Sequence, residues 1–203
     1  MIAPLMALPP DLLREISREA MLELPITRYE GEIRLVETAQ ALERAAADIF
    51  QEPAIGFDTE TRPAFRKGES HPPALAQVAT ARAVYLFPLQ RLDFSATLAE
   101  LLAEKAIVKA GVALAEDLRQ LQSLFAFQPA GVTDLGHAAK RHGLKQTGLR
   151  NLAGIFLGAR IAKGAKTTNW AARRLTSQQM TYAATDAWIC RELYLRFREL
   201  ALL

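Results

Sequence analysis

The first periodic stretch of the chain sets Leu12, Leu13, Ile16 and Ala20 at helical spacing, with acids and arginines between them. That spacing predicts an amphipathic helix over residues 11–23, ended near Pro25. Gly31 then precedes Ile33-Arg34-Leu35-Val36, which reads as a strand, and Thr38 is placed to cap a helix over residues 39–50. At Pro53 the pattern changes. Ala54-Ile55-Gly56-Phe57 is a continuous apolar run closed by Asp58, the signature of a short buried strand. Residues 61–73, with three prolines and Gly68, predict a polar loop. Residues 75–80 and 84–88 form a predicted hairpin around Ala81-Arg82. A helix over 95–104, a strand over 107–110 closed by Gly111, a helix over 115–125 and an extended piece at Val132-Thr133 follow. Beyond Leu135 the chain reads as helical. Thr176-Ser177-Gln178-Gln179 has a capping-box pattern and predicts a helix over 177–199.

Early strands alternating with helices, then mostly helices, predict one α/β domain: a mixed central β-sheet flanked by helices. Residues 1–28 read as a helical lead-in and 29–203 as the domain. The chain has 203 residues, half of them hydrophobic, enough for one sizeable core. No apolar run reaches the roughly 18 residues that a spanning helix needs. Residues 1–10 lack a basic start and a cleavage site, and so read as a lead-in and not a signal peptide. A single cysteine, Cys190, rules out an intrachain disulfide and a cysteine-based zinc site, and reads as an inert buried thiol. These features together predict a cytoplasmic protein with no membrane association; no obligate protein partner is inferred.

Net charge is only +3, but the distribution is lopsided. No acid occurs from Leu135 to Thr185, while Lys140, Arg141, Lys145, Arg150, Arg160, Lys163, Lys166, Arg173 and Arg174 do. A one-sign field of this kind suits a polyanion such as nucleic acid.

Asp58-Thr59-Glu60 is the most informative triplet. On a strand, residues two apart share a side, so Asp58 and Glu60 project two carboxylates together. Such like charges repel unless one takes a proton or a cation sits between them. Carboxylate oxygens suit hard ions such as magnesium or manganese. Asp117 falls early in the helix after Gly111; Glu116 beside it points elsewhere. Tyr182 and Asp186 lie four apart on one face of the last helix, flanked by Ala183, Ala184 and Ala187.

Asp58-Thr59-Glu60, the run from Gly111 to Asp117, and Tyr182-Ala183-Ala184-Thr185-Asp186-Ala187 resemble the three motifs of the DEDD 3′–5′ exonucleases, of ribonuclease H-like fold (the DnaQ-like superfamily). The tyrosine four before the last aspartate resembles the tyrosine-bearing (DEDDy) subgroup. Thr168-Asn169-Trp170, with Arg174-Leu175-Thr176 and Gln179, is similar to the run before the last motif in ribonuclease D and the Werner-syndrome exonuclease domain. The resemblance implies that Asp58, Glu60, Asp117 and Asp186 hold two divalent metal ions (Mg2+ or Mn2+). It implies that Tyr182 orients the attacking water, helping to take its proton, and that nucleoside 5′-monophosphates leave from the 3′ end of DNA or RNA. The expected substrate is a single-stranded or 3′-recessed nucleic acid. Ribonuclease D carries helical nucleic-acid-binding domains after its nuclease domain, and this sequence ends at Leu203, so a stand-alone enzyme of the Werner-domain type is the closer expectation. Thr59, Arg62, Arg66, Lys67, Lys145, Lys163 and Lys166 are candidate substrate contacts, with Arg150 a further basic candidate. Phe65 or Trp170 could stack on a base. A catalytically silent nucleic-acid-binding module on the same fold is the alternative; such modules lose metal acids, and all four are present here.

Overall fold

The structure, a computed structural model, describes residues 14–203 apart from 65, 67, 163 and 165–167. Its elements in chain order are α1 (Arg18–Glu23), β1 (Ile26–Thr27), β2 (Glu32–Leu35), α2 (Ala39–Ile49), β3 (Ala54–Thr61), β4 (Pro73–Ala79), β5 (Ala83–Pro88) and α3 (Ser95–Ala103). They continue with β6 (Val108–Gly111), α4 (Leu114–Gln122), β7 (Val132–Asp134), α5 (Leu135–Arg141), α6 (Leu149–Leu157), β8 (Arg160–Ile161) and α7 (Ser177–Glu199).

Six strands form one sheet in the order β2-β5-β4-β3-β6-β7. β4 runs antiparallel to both its neighbours, and the remaining pairs are parallel. This is the expected mixed sheet. Helices cover both faces, because residues alternate across a strand. On one face Ile55, Phe57, Val78 and Phe87 meet Ile49, Leu98, Leu114 and Leu121. On the other, Ala54 and Ala110 pack with Leu152, Ile189 and Phe197, while Leu75, Ala79 and Leu86 lie among Ala183, Ala184 and Ala187.

Three expectations shift. The strand predicted to stop at Asp58 runs on to Thr61, because Asp58 to Glu60 pair with Gln77 to Leu75 of β4. The first helix is shorter than predicted within the described residues: Ser17 caps it, its Oγ accepting from the Ala20 amide at 3.1 Å. A two-stranded parallel ribbon was not expected at all. Ile26-Thr27 pairs with Arg160-Ile161, tying the lead-in to the segment after α6.

The capping box at α7 forms as predicted. Gln179 N–H donates to Thr176 Oγ1 at 3.1 Å, and Thr176 N–H donates back to Gln179 Oε1 at 2.9 Å. Gln179 Nε2 also reaches Thr168 Oγ1 and the Asn169 carbonyl, fastening the preceding segment to the helix start. Among the described residues, no helix is long and apolar enough to cross a membrane.

Candidate active site

β3 delivers Asp58 and Glu60 to the sheet face that α7 covers. Their approach to Asp186 depends on Gly56. A Cβ there would overlap the Ala187 carbonyl oxygen and lie 2.8 Å from the Arg191 nitrogen, so only glycine lets α7 settle this low on the sheet. Ala183, Ala184 and Ala187 keep the same contact thin.

The result is a cluster: one ligand atom each from Asp58, Glu60 and Asp186 lies within 4.8 Å of the others. The three acids line a cleft of about 460 Å³ with Thr59, Tyr182, Arg150, Asn151 and Cys190. Loss of hydration, followed by the charges of Asp186, Asp117 and Glu60, pushes the Asp58 carboxyl well above the usual carboxylate range. Oxygen-only donors, crowded enough to resist simultaneous ionisation, match the chemistry of hard divalent cations.

Asp117, expected as the fourth acid, lies outside this trio and does not line the cleft, though its charge acts on Asp58. The turn before α4 puts Ala113 in the left-handed region at φ 60°, ψ 34°, where a residue with a Cβ is strained. Gly111 passes so close to Phe57 that a Cβ would sit 2.6 Å from its carbonyl oxygen. Asp117 thus enters from the first turn of α4 and accepts a short hydrogen bond from the Thr59 hydroxyl on Oδ1. Burial raises its pKa, against the lowering effect of that bond. Glu116 does point elsewhere: it is exposed and bonded to Arg119 and Gln120.

Tyr182, on the same α7 face as Asp186, is hydrogen-bonded to it. Burial, then the Asp186 and Glu60 charges, pushes the phenol pKa further up. In the metal-free fold its hydroxyl therefore stays protonated at neutral pH. Cys190 is buried on the cleft floor, and its thiol pKa is raised by burial and then by the acids around it, in keeping with an inert thiol.

The candidate substrate contacts scatter. Thr59 gives its hydroxyl to Asp117 rather than to open solvent. Arg62 and Arg66 are exposed on the loop after β3, and Lys145 is exposed between α5 and α6. Phe65, Lys67, Lys163 and Lys166 lie outside the described residues. Trp170 requires a correction: it is 2% exposed, packed in the core with its ring 6.0 Å from that of Tyr182, so it offers no face for a base to stack on. Arg150, in the first turn of α6, lines the cleft with the acids and lowers the Tyr182 pKa. Asn151 beside it was missed, since nothing in its spacing sets it apart. Gln77 pairs with Asp58 across β3 and β4; a glutamine in an apolar strand stands out only once its register is known.

A family model described as 3′–5′ exonuclease matches residues 33–201. The chain is 30% identical over 189 residues to mouse exonuclease 3′-5′ domain-containing protein 2, covering 87% of this chain and 28% of that protein. It is 35% identical over 165 residues to ribonuclease D of Haemophilus influenzae, covering 79% and 40% respectively. It spans less than half the length of either relative. Among solved structures, the Nibbler exonuclease domain of Aedes aegypti superposes with a TM-score of 0.76 at 23% identity, covering 86% of this chain and 92% of that domain. Escherichia coli ribonuclease D gives 0.72 at 24% identity, covering 83% and 46%. Both likenesses establish the ribonuclease H-like fold that the motifs implied. With the family model running across most of the domain, the chain belongs to the 3′–5′ exonuclease family and resembles ribonuclease D.

Proposed function

We propose that this chain is a metal-dependent exonuclease that removes nucleoside 5′-monophosphates from the 3′ end of single-stranded or 3′-recessed nucleic acid, DNA or RNA. The observation that carries the reading is the convergence of Asp58, Glu60 and Asp186 within 4.8 Å. In this reading the three, with Asp117, hold two divalent cations, magnesium or manganese. Such ions would lower the pKa of an attacking water and stabilise the attacking and leaving oxygens of an in-line displacement.

The chain's own residues do the rest. Asp58, which feels the charges of Asp186, Asp117 and Glu60, would be a principal holder of the cations. Thr59 orients Asp117 through its hydroxyl. Tyr182 donates its hydroxyl proton to Asp186 and fixes the line of attack through that carboxylate. Arg150 supplies a positive charge at the cleft for the terminal phosphate. Exposed Arg62, Arg66 and Lys145, with Lys67, Lys163 and Lys166, track the phosphates upstream. Water adds across the terminal P–O3′ bond, its proton passing to the leaving oxygen, so the shortened strand keeps a free 3′-hydroxyl.

A 5′-labelled oligonucleotide should give a ladder of products shortened from the 3′ end, and a circular single strand should stay intact. Excess chelator should stop the reaction. Equal digestion in chelator would overturn the metal-dependent reading. Salt-sensitive binding without nucleotide release in magnesium or manganese would mark a silent binding module instead.

A further inference from the structure

Gln77 stands opposite Asp58 in the antiparallel pairing of β3 and β4. Residues paired this way share a face of the sheet, with Cβ atoms about 4.5–5.5 Å apart. Gln77 is 0% exposed, and neither its Nε2 nor its Oε1 has a hydrogen-bond partner. Its neighbours on the same face of β4, Leu75 and Ala79, are packed among Ala183, Ala184 and Ala187 of α7. The surroundings are those of a core, where an apolar side chain of similar volume would fill the same space without burying two unsatisfied polar atoms. Interiors keep few such groups, and each calls for a reason.

The reason lies across the strand pair. A glutamine arm is long enough to bring its amide to the Asp58 carboxylate, while a serine or threonine would fall short. A lysine or arginine could reach as well, but its charge would compete with cations for the carboxylate. A neutral donor alone steers the group without displacing what it binds. We propose that Gln77 is a positioning residue: its Nε2 donates to the Asp58 carboxylate in the working centre and fixes which oxygens face Glu60 and Asp186. The proposal rests on the metal-dependent exonuclease reading. Partners of this kind behind a metal-binding side chain are worth about 10–100-fold in metal affinity or activity.

Gln77→Leu and Gln77→Met test it, being close in volume and unable to donate. The metal-free melting temperature should equal or exceed that of the wild type. Mn2+ affinity by calorimetry and kcat on a 5′-labelled oligonucleotide should each fall about 10–100-fold, with KM for the oligonucleotide little changed. Either variant keeping wild-type Mn2+ affinity and kcat would overturn the proposal. So would a lower metal-free melting temperature in both, since it would show the amide to be part of the fold's own support. A wild-type protein silent in both assays would overturn the exonuclease reading beneath it, and the role of Gln77 with it.

Discussion

Gly56 of β3 and Ala187 of α7 touch backbone to backbone, two residues from Asp58 and one from Asp186. Gly56→Ala would force the helix and strand apart. Overpacking of this kind costs about 1–3 kcal/mol, and a misplacement of about 1 Å costs roughly 100-fold in rate. The variant should melt below the wild type and lose turnover even at temperatures where circular dichroism reports it folded. Full activity would mean that the acids tolerate a shifted helix.

Asp58→Asn should separate stability from activity. The Asp58 pKa is raised in the fold, so the stability associated with this group is complete below its unfolded pKa. That stability is lost as pH rises from the ordinary carboxylate range through the raised value. The metal-free wild type should therefore melt at progressively lower temperature across that window, and the asparagine variant should show a weaker dependence. Hydrolysis by the variant should be undetectable. Saturating Mg2+ should stabilise the wild type, by about 2.7 kcal/mol at 100 times Kd, and leave the variant nearly unmoved. The comparison needs only thermal melts with and without chelator.

Tyr182→Phe removes the donor and keeps the ring against Trp170, so the fold should be unaffected. Single-turnover rates should fall about 10–100-fold through lost alignment, with nucleic-acid affinity within about twofold. A large affinity loss at unchanged rate would place the hydroxyl on the substrate instead.

Lys109 offers a pH test away from the acids. It is 0% exposed, and its ammonium donates to the carbonyls of Glu104 and Ile107 where the chain leaves α3. Burial lowers its pKa to about 8. An amine whose folded pKa is depressed binds more protons when unfolded, so stability rises with pH between about 8 and the ordinary lysine range. Melting curves of the wild type minus those of Lys109→Met should show that rise across the alkaline window. A flat difference would mean that the amine titrates normally.

Binding to single-stranded oligonucleotides in Ca2+ should weaken with salt at a log–log slope near −0.7 per phosphate contacted. Arg62→Ala and Lys145→Ala should each make the slope shallower by about 0.7 if each meets one phosphate. Fluorescence anisotropy across a salt series decides it.

What could be read from the sequence was local. Thr176 and Gln179 announce the start of α7 because both halves of the capping box lie within one turn. Asp58 and Glu60 share a face because strand period is fixed. Tyr182 and Asp186 share one because helix period is. What escaped was long-range. Ile26-Thr27 and Arg160-Ile161 are too short to show a period, and their pairing exists only when segments more than a hundred residues apart meet. Trp170 sits among polar Asn169 and exposed Arg173, a surface-like setting; it is the docking of this segment on α7 that buries it. Gln77 looked like any strand glutamine until its register put it opposite Asp58.

The segment before β2 has a consequence for anyone trimming the protein for crystals or assays. Tyr29 N–H donates to Thr185 Oγ1 at 3.0 Å, one residue from Asp186, and Ile16 exchanges two backbone hydrogen bonds with the Gln146 side chain. A fragment cut to the matched span 33–201 would discard both anchors and the partner strand of Arg160-Ile161. The shortest piece expected to keep its third acid in register begins near Ile16, well upstream of where family boundaries would place the scissors.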